Sequence, residues 1–155
     1  MTSICFTVPG PIQPWQRARS NGKFKFTARE TVMYQNHVKH CAADAMGNMP
    51  LFDGPIVATY VFIFPVPDSW PKWKKEAARR GRLVHDKKPD TDNLVKTIKD
   101  ACEGIVFTND CRVYSDSASK WFNNGSGVHT VVTFRLEEDK IGTGAKKSDY
   151  DALFD

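Results

Sequence analysis

The stretch from Asn93 to Glu103 limits the possible folds more than any other, because its two sides have opposite chemistry. On a 3.6-residue period Leu94, Ile98, Ala101 and Ile105 share one side, whereas Asp92, Lys96, Lys99, Asp100 and Glu103 gather on the other. A helix of this kind needs an apolar partner on one side and turns its charges toward a site or toward water on the other. Gly104 stops it, and Pro89 keeps the residue before it out of the α region, so the helix is entered from extended chain. Ile56 to Phe64, a run of β-branched and aromatic residues closed by Pro65 and Pro67, reads as a buried strand.

The remaining segments fill out an α+β chain. Ser3 to Val8 alternates as a strand until Pro9, Gly10, Pro11 and Pro14 break it. A loop with Arg17, Arg19, Lys23 and Lys25 follows, in which Phe24 and Phe26 alternate with lysines as in a short hairpin arm. Val32, Met33, Val38, Cys41, Ala42 and Ala45 trace a first helix from Ala28 to about Met46, with Thr27 as its N-cap. A basic, solvent-facing helix starts near Pro71 behind a cap at Asp68 or Ser69 and ends at Gly81. Arg112 to Phe122 and His129 to Leu136 read as strands, and Asn123 to Gly127 reads as the hairpin loop that pairs them. The expectation is one domain over residues 1–136, a mixed β-sheet packed with helices, followed by a tail over 137–155 with little to bury.

Several classes are set aside by the same reading. The longest apolar run, Ile56 to Phe64, is about half of a membrane span, and Met1 to Pro11 lacks the basic start and apolar stretch of a secretory signal. A cytoplasmic protein with no membrane segment is expected. Cys5, Cys41, Cys102 and Cys111 never fall in a C-x-x-C pair and read as reduced core thiols. His37, His40 and Cys41 can share a helix face as a metal site, but packing is the stronger reading.

Charge is divided unevenly. Residues 137–155 hold six acids and three bases, which leaves nineteen bases against twelve acids, +7, for residues 1–136. Lys72 to Lys88 contributes eight Lys or Arg against Glu76 and Asp86, interleaved with Trp70 and Trp73, a pattern suited to a phosphate backbone or simply to a solvated helix face.

Within this basic body, Lys88-Pro89-Asp90-Thr91-Asp92-Asn93 sets two carboxylates two residues apart where extended chain enters the helix. In extended backbone such residues point the same way and can converge on one hard cation. Asp110 follows in the turn after the helix, and Lys96 lies one turn in. Magnesium sites for phosphoryl chemistry use few carboxylates, keep waters and let substrate phosphate complete the shell. An Asp at a helix start is also an ordinary N-cap, and Asp92 with Lys96 an ordinary i,i+4 pair.

At these residues the sequence resembles the RusA family of Holliday-junction resolvases. The resemblance runs through Lys88-Pro89-Asp90-Thr91-Asp92-Asn93-Leu94, Lys96, Asp100-Ala101, Gly104 and Asn109-Asp110-Cys111-Arg112-Val113. It also takes in Val8-Pro9-Gly10, Arg17, Arg19 and Phe64-Pro65, and spans most of residues 4–136. It implies a homodimeric α+β nuclease that binds four-way DNA junctions and uses Mg2+ to cut strands symmetrically. Asp90, Asp92 and Asp110 take the positions of the family's three catalytic, metal-binding carboxylates and Lys96 that of its lysine. Arg17, Arg19, Lys87 and Lys88 are the expected contacts to DNA backbone. Asn109 stands where the family often has a second Asp, and the insert Trp70 to Gly81 is longer than in compact members. Two other readings stay open from the residues themselves, a non-catalytic protein that binds branched DNA and a related metal nuclease acting on flaps or forks.

Overall fold

The computed structural model describes residues 2–13, 19–20, 25–26 and 29–155, the two short pairs by their backbone alone. Arg17, Lys23, Phe24 and Thr27 lie outside the described residues, and so do the side chains of Arg19, Lys25 and Phe26. The order of elements is β1 (Thr2–Pro9), β2 (Arg19–Ser20), β3 (Lys25–Phe26), α1 (Arg29–Met46), β4 (Ile56–Phe64), α2 (Lys72–Arg79), α3 (Thr91–Cys102), β5 (Val113–Phe122), β6 (His129–Leu136) and α4 (Lys147–Ala152). The main sheet is mixed, in the order β1-β6-β4-β5, with β4 and β5 parallel and the other pairs antiparallel. Helices α1 and α3 pack together, α1 resting on β1 and α3 on β5, which gives an α+β fold. The short strands β2 and β3 pair antiparallel, as a hairpin arm would.

The expected hairpin between β5 and β6 does not form. Strand β6 instead inserts between β1 and β4, while β5 crosses to the far edge beside β4. The side chains explain the exchange. Thr130, Val132 and Phe134 of β6 are all buried, as a strand paired on both sides requires. Beyond its first residue β5 instead turns Asp116, Ala118 and Lys120 to the side of the sheet that carries Ala58, Tyr60 and Phe62. Charges on that side are tolerated at an edge, where water still reaches them.

The core lies between this side of the sheet and the two helices. Ile4, Phe6 and Val8 alternate inward from β1, and Ile56, Ala58, Tyr60 and Phe62 do so from β4. Phe134 takes Tyr60 and Phe107 edge-to-face at 6.0 and 5.3 Å, the geometry aromatic quadrupoles favour. Leu94, Ile98 and Ala101 of α3 are buried as their spacing demands. Ile98→Val, which removes one methylene from a fully buried site, is expected to cost about 1 kcal/mol in urea unfolding without changing its slope. In α1 the buried stripe is Thr31, Tyr34, Val38, Ala42 and Met46, so Val32 and Met33, expected inside, are exposed.

Three smaller expectations are corrected. All four thiols are free, but only Cys102 is in the core, while Cys5 and Cys111 are exposed. His37 and His40 face water, His40 lies 3.8 Å from Asp44, and among the described residues no metal-binding group includes them. Pro71 occupies the cap position of α2 with no side-chain cap bond, so neither Asp68 nor Ser69 caps it. From Glu137 onward the chain stays largely open to water. Its N–H bonds to Pro55, α4 buries no residue, and the rings of Tyr150 and Phe154 meet edge-to-face at 5.1 Å. Among the described residues no helix is long and apolar enough to cross a membrane.

Candidate functional site

Chain entering α3 passes through an extended Asp90 (φ −71°, ψ 146°), preceded by a cis Lys88-Pro89 bond. Asp90 sits at the N-cap position, yet its carboxylate makes no capping bond. The backbone carbonyl of Asp90 accepts from Leu94 at 3.2 Å, so the helix starts there while the acid group is left over. Asp92 follows in the first turn, where a negative charge is favoured by the helix dipole. The other end of α3 is stopped by extended Glu103 and by Gly104 at φ +83°, a conformation that strains any residue with a Cβ.

Asp110 is held by the turn beyond. Asn109 accepts the Cys111 N–H at 3.0 Å and so caps the short 3-10 turn Asp110–Arg112, and Glu103 accepts the Asp110 N–H at 3.3 Å. Asn109, the departure noted in the sequence, therefore has a structural task that its amide oxygen performs.

These elements enclose a cleft of about 420 Å³ lined by Asp92, Lys96, Asp100, Asp110 and, from β5, Asp116. Lys99 and Thr91 also line it. Lys96 pairs with Asp100 at 3.2 Å. Asp90 opens on the adjoining shallow cleft with Lys87, Lys88 and Lys120, and Thr91 borders both. The structure thus brings Asp92, Lys96 and Asp110 together and sets Asp90 next door. Among the described residues, no three acidic, histidine or cysteine side chains stand close enough to share an ion, and no ion pair engages Asp90, Asp92 or Asp110.

Sequence reasoning missed two groups contributed by the edge strand, Asp116 and Lys120. Asp116 accepts the Tyr60 hydroxyl at 2.9 Å and pairs with Lys99 at 3.2 Å. Burial first, and the nearby Asp116 charge second, push the Tyr60 hydroxyl far above its ordinary pKa, so it remains a donor across the working pH range. Lys120 donates to the carbonyl of Pro89 at 2.8 Å and also to that of Lys87, which fastens the segment leading into Asp90 onto β5. The available signal was the period-2 placement of Asp116 and Lys120 with Ala118 and Phe122, charges on a side otherwise apolar.

Fold and cleft together define an α+β domain whose sheet edge carries an acidic, lysine-flanked groove. A family model described as Endodeoxyribonuclease RusA matches residues 9–133, and the chain belongs to this endodeoxyribonuclease family. It is also similar to the Uncharacterized protein YqaN of Bacillus subtilis (strain 168), with 30% identity over 139 residues, 85% of this chain and 96% of that protein.

The donor set suits a hard divalent cation. Aspartate oxygens from three segments flank the groove with no cysteine or histidine among them, and Asp90 is spared from capping.

Proposed function

We propose that this protein is a divalent-metal-dependent endonuclease that cuts branched DNA, four-way junctions foremost, as a cytoplasmic homodimer. The observation that carries the reading is the shared cleft of Asp92, Asp110 and Lys96 in a chain of this family. Asp90, Asp92 and Asp110 are the groups that would hold Mg2+, which when bound supplies Lewis acidity and positive charge beside the phosphate under attack. Lys96 stands in the same cleft to bind the scissile phosphate. Exposed Lys87 and Lys88 hold the backbone on the Asp90 side, and Arg17 and Arg19 are the further backbone contacts that the family resemblance implies. Residues 1–136 are the nuclease unit and 137–155 an appended tail.

Among the described residues each chain has one such cleft, and symmetric cutting of a four-way junction takes two related by a twofold axis. Light scattering is expected to give twice the 17.5 kDa chain mass; a single-chain mass with and without junction DNA would refute the dimer. The central experiment is cleavage of a four-way junction, three-way junction, flap and duplex in magnesium and in EDTA. Paired cuts in the four-way junction, only with magnesium, are expected. Tight binding without cutting would instead establish a branched-DNA-binding protein.

Binding is expected to weaken steeply with salt, since a body of +7 displaces counterions at each phosphate it contacts. A junction dissociation constant that changes less than about tenfold between 50 and 200 mM salt would remove the basic surface from the account.

A further inference from the structure

Next to the candidate cleft, the segment between β4 and α3 folds over the sheet end and leaves an open pocket of about 760 Å³. Four rings line it. Phe64 and His85 lie 4.2 Å apart, His85 and Phe122 5.2 Å, and Trp70 meets Phe122 edge-on at 4.9 Å. All four are half-buried, although a folding core would close over such surface. Desolvation, with Lys120 close by, holds the His85 ring below its ordinary pKa, so at neutral pH it offers a flat uncharged surface. Around the rings stand Lys74, Arg82, Lys87 and Lys88 against the single acid Asp86. Lys74 already sits 4.2 Å over the Trp70 ring, a cation placed to meet a phosphate beside a stacked base.

We propose that this pocket receives one unpaired nucleobase of the bound DNA, stacked on the aromatic floor with its flanking phosphates on the basic rim. The inference rests on the reading that the chain acts on DNA. Flat rings under cations are how single strands are held without sequence choice, and the volume falls within the range of ~300–1,000 Å³ typical of small-molecule sites. Continuity fixes the occupant. Asp86, Lys87 and Lys88 border both this pocket and the cleft of Asp90, so a base seated here leaves its neighbouring phosphate beside Asp90. An acidic peptide would satisfy the rim but has no reason to run into that cleft. The proposal gives the insert Trp70 to Gly81 a use, capturing a base freed where strands exchange.

The test compares the affinity of the full chain, in EDTA, for a short oligothymidylate and for the abasic oligomer of equal length. Stacking of one base predicts at least about fivefold tighter binding of oligothymidylate. Trp70→Leu fills the space without a flat face and is expected to bind the two oligomers alike, and Trp70→Phe to regain the difference. Cooperative thermal melting of each variant certifies its fold. Should Trp70→Leu fail to melt cooperatively, Phe122→Leu replaces it with the same expectation. Equal binding of both oligomers by the parent leaves an anion-only surface and overturns the proposal, and so does discrimination that persists in a folded Leu variant. If four-way junctions are still cut in magnesium, only the pocket falls; if neither oligomer nor junction is bound, the reading as a nuclease falls with it.

Discussion

Asp92→Asn and Asp110→Asn are each expected to slow junction cutting by more than about 100-fold, beyond what loss of an outer partner of a metal ligand costs. Asn keeps the size and one oxygen of each side chain but removes the charge a hard cation requires. Both residues line one cleft, and no ion pair among the described residues depends on them, so folding is expected to be unchanged. Asp90→Asn separates two roles. As a helix cap Asn equals Asp, and the variant would match the parent. The Asp90 side chain makes no capping bond, so its loss is expected to fall on cutting instead. Junction binding should hold or tighten in all three, because each change removes a negative charge near DNA phosphates. Asp44→Asn, exposed on α1, is the control, while Asp100→Asn, which removes the charge paired with Lys96 at 3.2 Å, should lie between. Parental cutting rates in Asp92→Asn and Asp110→Asn would refute the site.

The parts of this site that were legible in the sequence are those fixed by local rules. The two-sided period of α3, its stop at Gly104 and the extended Asp90 entrance all follow from side-chain spacing and from proline and glycine, and the structure has them within a residue or two. Partner choice between strands is another matter. Asn123 to Gly127 has the composition of a hairpin loop, and such a signal describes a turn but not which strands flank it in the sheet. Here long-range burial decided. The apolar set of β6 needed neighbours on both sides, and the charged set of β5 needed an edge. Reading that edge correctly would have found Asp116 and Lys120, because only β5 beside α3 brings them to the cleft. The first helix failed for a related reason. Thr31 and Tyr34, polar in composition, fill its buried stripe, and Tyr34 keeps its hydroxyl 3.5 Å from Thr130.

Asp116 carries the second large expected effect, although it belongs to no motif. Its carboxylate compensates Lys99, whose side chain is only 18% exposed, in the same cleft as Asp92 and Asp110. In Asp116→Asn the amide oxygen can still accept the Tyr60 hydroxyl, but the charge opposite Lys99 is gone. The half-buried ammonium then has Asp92, Asp100 and Asp110 left as counter-charges in the same cleft, and two of these are needed by the cation. The expected result is a rise of about 10–100-fold in the magnesium concentration for half-maximal cutting, the usual cost of disturbing groups that orient metal ligands. The maximal rate should recover substantially at saturating metal. Tyr60→Phe is the sharper comparison. It deletes one hydrogen bond to Asp116 while leaving the Lys99 pair in place, so it should cost roughly 1 kcal/mol of stability and shift the magnesium midpoint little. A role for Asp116 in folding alone predicts the reverse, with both variants destabilised alike and neither midpoint moved. A magnesium titration of the two variants beside their urea unfolding curves distinguishes the cases, and an unshifted midpoint in a folded Asp116→Asn would leave the Lys99 pair without influence on the metal site.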